Sequence, residues 1–306
     1  MNELVTDIKS LELETLKNLK NSKSPNTLRA YESDYKDFMA FCSQNNFSSL
    51  PTNPKILSLY LTNLSQKARF STLKRRIASI SIVHKLKGHY IDTKHPLIVE
   101  NLLGIKRQKG SNQKAKKPIL INDLKIIIDA INKQTISEVR KLRDIALILI
   151  GFAGGFRRSE LVSLEYEDIE FVREGVKIFV KRSKTDQSGE GMTKAIPSFT
   201  NVSYCPVLHL KNWLNESKIK NGKVFPVSDK SVALIIKKYA NLAGLDGNKY
   251  AGHSLRSGFA TSTAESGAEE RNIMAMTGHK TTQMVRRYIQ EANLFKNNAL
   301  NKIKIE

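Results

Sequence analysis

The amino-acid sequence predicts a mainly α-helical protein with one small antiparallel β-sheet, in which a helical domain precedes an α+β domain. Apolar residues recur at intervals of three and four through much of the 306 residues, as on one face of a helix. In "IEFVREGVKIFVKRS" the turn "REG" separates two short apolar stretches, which is typical of a β-hairpin. The segment "KRQKGSNQKAKKP" is basic, contains almost no apolar residue and divides the chain.

The first half contains a series of predicted helices. "SPNTLRAYESDYKDFMAFC" begins with Ser24 as N-cap and Pro25 at the first helical position. Further helices are predicted in "TNPKILSLYLTNLSQK", in "STLKRRIASISIVHKLKG", which ends at Gly88, and in "PLIVENLLGI". We expect a helical domain at residues 23–105, after an extension at residues 1–22 that has room for one helix.

The second half is predicted to be mixed. A basic linker at residues 106–117 leads into a domain at residues 118–306. This domain begins with helical patterns in "INDLKIIIDAIN" and "EVRKLRDIALILIGFA". The hairpin and a third strand in "TKAIPSF" then give the small sheet. Helices return in "PVLHLKNWLNES", "SDKSVALIIKKYANLAGL", "SLRSGFATSTAESG", "ERNIMAMTG" and "TTQMVRRYIQEANLF".

The net charge indicates an anionic partner. The formal net charge is +21, with 21 Lys and Arg against 9 Asp and Glu in residues 1–117 and 29 against 20 in residues 118–306. Such a field favours a polyanion or an anionic membrane over a small neutral ligand. Nucleic acid is therefore the predicted partner, and both halves are expected to contact it.

Cysteine usage and hydropathy indicate an intracellular protein. Cys42 and Cys205 match no CxxC spacing, so neither a disulfide framework nor a zinc ribbon is predicted. The longest apolar run, "IALILIGFAGGF", is about half of what a bilayer crossing needs. The amino terminus "MNELVTDIKSLELE" is too acidic and polar for a signal peptide. We expect a cytoplasmic protein, associated with the nucleoid if its partner is DNA.

The stretch "GHKTTQMVRRYI" contains a candidate nucleophile, Tyr288. A free tyrosine has a pKa of about 10, so nucleophilic attack needs cationic neighbours, and the natural electrophile for a basic protein is a phosphodiester. Planar guanidinium groups match the oxygens of a transferring phosphoryl group. Arg157 in "AGGFRRSELVSL" begins a predicted helix after a Gly-Gly turn. Arg256 in "YAGHSLRSGFA" shares a helix face with His253.

Each of these residues also has an ordinary structural interpretation. Tyr288, on a helix with Val285, is consistent with a half-buried packing aromatic, and Arg157 with one more surface charge. An isolated HxxR pattern is more often a solvated helix start, and His279 after Gly278 is equally typical of a helix end. Taken singly, none of these residues predicts a site.

In combination, the motifs resemble the signature boxes of the tyrosine recombinases, also called the phage integrase family. "GFRRSEL", "KRSKTDQSGEG", "GHSLRSGFAT" and "MTGHKTTQMVRRYI" occur in that order between Gly155 and Gln290. Intervals of 3, 23 and 9 residues separate His253, Arg256, His279 and Tyr288. Residues 23–105 are similar to the helical core-binding domain of the family, so the resemblance covers nearly everything after residue 22.

The resemblance implies a role for each residue of the site. Tyr288 would attack the scissile phosphate and form a 3′-phosphotyrosyl intermediate, which a second strand's 5′-hydroxyl then reverses without ATP. Arg157 and Arg256 would hold the non-bridging oxygens, in the place that a metal ion occupies in nucleases, so neither metal nor another cofactor is expected. His253 and His279 would hydrogen-bond the phosphate and help to move the tyrosine's proton.

Two further residues complete the implied set. Lys184 would protonate the leaving 5′-oxygen, which requires a cation that can give up its proton. Lys181 and Lys194 are nearby alternatives for this role. Glu160, one turn after Arg157, would orient the arginine and histidine groups.

The resemblance also implies an assembly. The two domains would close on duplex DNA as a C-shaped clamp, with the basic linker passing along the DNA backbone. Four protomers would act on two DNA sites through a Holliday junction, with accessory DNA-bending or directionality proteins as further partners. The tail "QEANLFKNNALNKIKIE" contains the apolar residues Leu294, Phe295 and Leu300. These residues would either dock on a neighbouring protomer or pack on their own domain, and both alternatives stay open. About 22 residues precede the first core-binding helix, too few for an arm-binding domain, so a simple recombinase is expected.

Other function classes fit the motifs less well. A type IB topoisomerase shares the chemistry but relaxes DNA as a monomer and does not usually carry these intervals beside a helical core-binding domain. A plain DNA-binding protein leaves the intervals unexplained. A metal nuclease needs clustered carboxylates, and a solvated helix end is the better interpretation of Glu165, Glu167 and Asp168. Tyr250 precedes the histidine box and fits no interval, so it is not the expected nucleophile.

Overall fold

The computed structural model describes residues 7–110, 116–181, 190–293 and 299–303. The chain divides into two compact units, Met1–Lys114 and Ala115–Glu306. The division lies inside the basic segment that separates the two halves of the sequence. Within the described ranges, no helix is long and apolar enough to cross a membrane.

The described part of the first unit contains five helices. They are α1 (Ile8–Asn21), α2 (Pro25–Gln44), α3 (Pro54–Ser65), α4 (Phe70–Leu86) and α5 (Pro96–Lys109). The hydroxyl of Ser24 accepts a hydrogen bond from the backbone N–H of Thr27, and the Asn53 side chain accepts one from Ile56, so both caps act at the helix starts. Proline occupies a first-turn position in α2, α3 and α5.

The core of the first unit is apolar and contains a buried carboxylate, Asp34, that forms ion pairs with Arg75 and Arg76. Phe38 of α2 packs edge-on against Tyr60 of α3, with ring centroids 5.1 Å apart. Asp34 of α2 is only 1% exposed and accepts hydrogen bonds from Arg75 at 2.6 Å and Ser79 at 2.8 Å, both on α4. Since a buried carboxylate requires such partners, these contacts fix α2 against α4.

Helix α5 runs further than the sequence predicted. It continues through Lys106 to Lys109, four residues into the segment predicted as linker, and ends at Gly110, whose φ is 70°. The reason is physical, since long straight side chains favour helix and basic residues at a helix C-terminus interact well with its dipole. The Lys109 ammonium also donates to the carbonyl of Ser65 at the end of α3.

The described part of the second unit contains eight α-helices and three strands. The helices are α6 (Ile121–Asn132), α7 (Glu138–Ala153), α8 (Arg158–Ser163), α9 (Pro206–Ser217), α10 (Asp229–Leu242), α11 (His253–Glu265), α12 (Glu270–Thr277) and α13 (Thr282–Ala292). The strands β1 (Ile169–Phe171), β2 (Gly175–Val180) and β3 (Met192–Pro197) pair antiparallel in the order β1-β2-β3. The predicted fold class, mainly α with a small antiparallel sheet, is confirmed.

Two helices form the centre of the second unit. Residues 144–152 of α7 are all buried, and α11 is buried along most of its length between α7 and α13. A Cβ atom on Gly258 of α11 would lie 1.9 Å from the carbonyl oxygen of Ile119, so only glycine permits this close approach. Side chains that project from the ends of these two helices are therefore held in fixed positions.

The acidic stretch after α8 is solvated at Glu167, as predicted for a helix end, but not at Asp168. Glu165, Glu167 and Asp168 lie at a 3-10 turn (Tyr166–Asp168), and Asp168 is only 9% exposed. The Asp168 carboxylate accepts from the backbone N–H of Glu165, and the Lys181 ammonium pairs with both of these residues. Backbone capping and a lysine partner keep a carboxylate inside this turn.

Candidate active site

Arg157 projects from a sharp turn between α7 and α8. The turn passes through Gly155, whose φ of 54° lies in the left-handed region. A Cβ atom at Gly155 would lie 3.0 Å from Phe259 and 3.2 Å from Thr277, so both conformation and space favour glycine. Arg157 then occupies the N-cap of α8 with 13% of its side chain exposed. The Gly-Gly motif thus places the guanidinium at the start of a helix, as the sequence indicated.

Glu160 orients Arg157 through two contacts. Its carboxylate accepts from the Arg157 backbone N–H at 2.9 Å and from the guanidinium at 2.5 Å, while Glu160 itself is only 2% exposed. A second guanidinium nitrogen of Arg157 lies 3.5 Å from the carbonyl of Gly278, which ends α12. Because the Glu160 carboxylate binds both the backbone and the side chain of Arg157, the guanidinium has little conformational freedom.

Arg256 has a nearly fully buried side chain, with 2% of its surface exposed. It lies on α11, and its guanidinium donates to the carbonyl of Gly155 at 2.9 Å and to Nε2 of His279 at 3.1 Å. Burial, followed by the charge of Arg157, lowers the pKa of Arg256 to about 10, while Glu160 and Tyr288 oppose the shift. The group is still cationic at neutral pH.

His279 follows the left-handed Gly278 that ends α12. The glycine ends the helix, as one interpretation of "GH" predicted, and the histidine ring lies beside Arg256. Its Nδ1 lies 2.7 Å from the hydroxyl of Thr277. Burial, followed by the nearby charges of Arg256 and Arg157, lowers the pKa of His279 to about 4, so the imidazole is neutral at pH 7.

Tyr288 lies on α13 with its ring partly buried. Val285 and Ile289 of the same helix pack with Ile273 of α12, so Tyr288 also contributes to a small apolar cluster. Its ring centroid lies 6.3 Å from that of His279. Its charge also opposes the fall in the pKa of Arg256, which places the phenol within the electrostatic reach of that guanidinium. The packing and the chemical interpretations are compatible.

His253 occupies the exposed first position of α11, one turn before Arg256. Its charge is among those that lower the pKa of His279, so the two histidines lie within electrostatic reach of each other. A Cβ atom at Gly252 would lie 1.8 Å from the Arg158 side chain, so glycine at this position lets the α7–α8 turn approach the start of α11.

The three lysines considered for the proton donor have very different positions. Lys184 lies outside the described residues. Lys181 is half-exposed and its contacts with Glu165 and Asp168 raise its pKa, which disfavours proton donation. Lys194 has no exposed surface, and its burial lowers its pKa to about 7.

Lys194 links three elements beneath the site. Its ammonium donates to the carbonyl of Gly154 at 2.7 Å and to that of Met276, and it lies 4.8 Å from the ring centroid of Phe156. A neutral amine keeps two N–H groups, so Lys194 can hold both carbonyls in either protonation state. The signal in the sequence was its strand position, because Lys194 and the buried Ile196 face the same side of β3.

The arrangement suits one type of chemistry. Arg157, Arg256 and the buried Lys194 lie within electrostatic reach of one another, with Glu160 as their buried carboxylate partner, and Tyr288 lies within electrostatic reach of Arg256. Fixed donors of this kind stabilise an oxyanion whose charge grows during reaction. The geometry therefore favours transfer of a phosphoryl group to a tyrosine.

Comparison with known proteins agrees with this chemistry. The model of the phage integrase family matches residues 119–294. The chain is 41% identical to an integrase/recombinase XerD homologue of Selenomonas ruminantium, over 99% of this chain and 92% of that protein. It is 28% identical to the tyrosine recombinase XerD of Rickettsia bellii, over 85% of this chain and 88% of that protein.

Solved structures share the fold. The XerH site-specific recombinase, in a post-cleavage complex with palindromic difH, aligns with a TM-score of 0.64 at 18% identity, over 82% of this chain and 72% of that one. A lambda integrase dimer bound to a core site aligns with a TM-score of 0.59 at 18% identity, over 96% and 98%. The family model spans more than half of the residues, and the 41% identical relative aligns along nearly the whole chain. The resemblance carried by the four sequence boxes is therefore confirmed, and the chain belongs to the phage integrase family of tyrosine recombinases.

Proposed function

We propose that this protein cuts and rejoins DNA at specific sites with Tyr288 as its nucleophile, and that the nucleoid is its place of action. The main observation behind the proposal is that the site residues lie together although they are far apart in the sequence. Arg157, Arg256, His279 and Tyr288 come from four separate segments, and hydrogen bonds, ring contacts or charge effects connect them. The names of the relatives, which include recombinases and integrases, support the same function.

Arg157 and Arg256 would form the binding site for the scissile phosphate. Glu160 holds Arg157 and the Gly155 carbonyl holds Arg256, so both guanidinium groups have fixed orientations, and the planar guanidinium fork matches the geometry of phosphate oxygens. A transferring phosphoryl group spreads negative charge over its non-bridging oxygens. Because the two guanidinium groups are positioned before DNA binds, they stabilise that charge with little reorganisation.

Tyr288 would then attack phosphorus in line with the 5′-oxygen. The bond from the tyrosine oxygen to phosphorus forms as the bond to the 5′-oxygen breaks, and the phenol proton passes to His253 or His279. A lysine ammonium gives its proton to the leaving 5′-oxygen. The phosphotyrosyl bond replaces one phosphodiester bond by another, so a 5′-hydroxyl of a second strand can reverse the step without ATP.

Covalent trapping tests this function. The protein is incubated in EDTA with a library of nicked duplexes, from which the short strand diffuses away after cleavage, and is then denatured. We expect protein joined to a 3′-phosphate through Tyr288, and sequencing of the trapped DNA would identify the site. Strand exchange between two duplexes that carry this site distinguishes a recombinase from a topoisomerase. Cleavage that appears only after metal is added would contradict the proposal.

We propose Lys184 as the proton donor, on the basis of the family resemblance, with Lys194 as its alternative. Replacing the 5′-bridging oxygen of the substrate by sulfur separates them, because a thiolate is a good leaving group that needs no proton. The Lys184→Ala protein is expected to cleave ordinary DNA about 10²–10⁴-fold more slowly than wild type. It is expected to cleave the sulfur-bridged DNA at the wild-type rate.

Lys194→Met is the matched comparison for this experiment. It removes the contacts with Gly154 and Met276 and is expected to slow the cleavage of both substrates equally, since its effect would be on the shape of the site. Selective recovery of Lys194→Met, rather than of Lys184→Ala, on the sulfur-bridged DNA would assign the proton donor to Lys194 instead.

We also propose that four protomers assemble on two sites through an exchanged tail. The second unit has an apolar groove of about 740 Å³, whose walls include Leu124, Phe152, Ile196, Phe259 and Met276. The described end of the tail leaves its own apolar side chains exposed, 66% for Leu300 and 60% for Ile303. The tail residues Leu294 and Phe295 lie outside the described residues. An exposed apolar tail and an open apolar groove in the same unit favour docking of the tail on a neighbouring copy.

Removing the residues after Asn293 tests this assembly. The shortened protein is expected to bind a single site and to lose cooperative assembly on paired sites, as measured by gel shift and analytical ultracentrifugation. Leu86→Ser is the control, because Leu86 is also 66% exposed but lies in the first unit. Full assembly of the shortened protein would contradict the exchanged tail. Accessory DNA-bending or directionality proteins stay a prediction.

A further inference from the structure

Thr277, the last residue of α12, has a buried hydroxyl between two polar groups. Its side chain has no exposed surface. The hydroxyl oxygen lies 2.6 Å from the carbonyl oxygen of Ile273 and 2.7 Å from Nδ1 of His279. Thr277 lies in the box "MTGHKTTQMVRRYI", but no role described so far uses its hydroxyl.

The positions of the hydrogens follow from the partners. A hydroxyl has one hydrogen, and the Ile273 carbonyl can only accept a hydrogen bond. At 2.6 Å the two oxygens require a hydrogen between them, so the Thr277 hydroxyl donates to Ile273. The hydroxyl oxygen is then free to accept, and the contact at 2.7 Å is a hydrogen bond from Nδ1–H of His279.

The opposite edge of the ring leads independently to the same tautomer. Nε2 of His279 lies 3.1 Å from a guanidinium nitrogen of Arg256, and a guanidinium can only donate. Nε2 must therefore carry a lone pair. Thr277 and Arg256 together select the neutral imidazole with its proton on Nδ1.

We propose that Thr277 is a positioning residue that holds His279 in the Nδ1–H tautomer, with the Nε2 lone pair facing Arg256 and the proposed phosphate-binding site. That the scissile phosphate binds there rests on the proposed function. When a phosphate draws Arg256 to its own oxygens, Nε2 can accept the proton of the attacking Tyr288. A ring protonated on Nε2 in the free enzyme could not do so.

The surroundings of the ring agree with a neutral starting state. Among the described residues, the charged and titratable groups that act on His279 or contact its ring come from α11, the α7–α8 turn, β3 and α13. They are Arg256, His253, Arg157, Lys194 and Tyr288. The cationic groups among them disfavour an imidazolium in the empty site. A bound phosphate adds negative charge beside them and favours the imidazolium that forms when the proton is accepted.

The tautomer is measured directly by ¹⁵N NMR of histidine-labelled protein without DNA, with the His279 signals assigned from a His279→Gln spectrum. Wild type is expected to show one protonated nitrogen, Nδ1, and one nitrogen with a lone pair. Thr277→Val, which keeps the shape and removes the hydroxyl, is expected to show nitrogen shifts averaged between tautomers or ring orientations. Thr277→Ser should restore the wild-type pattern.

The second readout is the cleavage rate on the DNA site that covalent trapping identifies. Single-turnover cleavage by Thr277→Val is expected to fall roughly 10- to 100-fold, part of what a placed proton-transfer group contributes, while Thr277→Ser stays within about threefold of wild type. Thr261→Val is the matched control, since Thr261 is 3% exposed and its hydroxyl has no hydrogen-bond partner among the described residues. It should cleave at the wild-type rate.

The outcomes separate this inference from the proposed function. An Nε2–H ring in wild type, or a Thr277→Val protein that keeps both tautomer and rate, overturns the role of Thr277. A single Nδ1–H tautomer that Thr277→Val loses supports the tautomer assignment even if no protein forms an adduct, and in that case the proposed function fails alone. If Thr277→Val does not fold, the wild-type and Thr277→Ser spectra still decide the tautomer.

Discussion

Tyr288→Phe is expected to bind its DNA site with unchanged affinity and to form no covalent adduct. The substitution removes one oxygen from a ring that packs beside Val285 and Ile289, so the apolar contacts of α13 are kept. Phosphate affinity comes mainly from arginine and lysine side chains, which the substitution leaves in place. Because the missing oxygen is the proposed nucleophile, the loss of adduct should be complete rather than partial.

Gel shift and denaturing electrophoresis of the trapped complex measure the two quantities separately. Tyr250→Phe is the matched control, since it removes a hydroxyl that donates to Asp123 at 3.0 Å and lies on a side chain only 1% exposed. It should cost about 1 kcal/mol of folding free energy and leave the adduct unchanged. An adduct that persists in Tyr288→Phe and disappears in Tyr250→Phe would assign the nucleophile to Tyr250.

The predictions of the fold class and of the site residues rest on different features of the sequence, and only the fold class is confirmed. The helices follow from local periodicity and caps, such as Ser24 with Pro25, which depend on neighbours only a few residues away. The proposed site residues, from Arg157 to Tyr288, follow from intervals that resemble those of the family. Those intervals identify which residues belong together, but they contain no information on burial.

The roles of Thr277 and Lys194 could not be predicted, because tertiary contacts create them. Nothing near Lys194 in sequence indicates that its ammonium reaches Gly154 and Met276, which lie 40 and 82 residues away. The hydroxyl of Thr277 becomes important only because Gly278 turns the chain and returns His279 towards it. The contrast between buried Arg256 and exposed His253, three residues apart, likewise depends on the packing around α11.

The second large effect is expected for Arg256→Ala, which should reduce cleavage by at least about 10²–10³-fold, the usual result of losing one donor aimed at a developing oxyanion. The loss has two sources in this structure. One guanidinium fork no longer meets the phosphate, and the Gly155 carbonyl and Nε2 of His279 both lose their donor. Arg158→Ala is the neighbouring control, since Arg158 contacts the Asp229 carbonyl at 3.4 Å and should retain most activity.

Arg256→Lys separates these two sources. Its ammonium keeps the charge but is a point donor, so it cannot hold the Gly155 carbonyl and two phosphate oxygens with one planar group. We expect the thermal stability of Arg256→Lys to lie close to that of wild type, while its single-turnover cleavage stays near that of Arg256→Ala. If the lysine restored the rate, charge alone would be sufficient. If Arg256→Ala cleaved at a near-normal rate, the phosphate would be held elsewhere and the pairing of Arg157 with Arg256 would have to be abandoned.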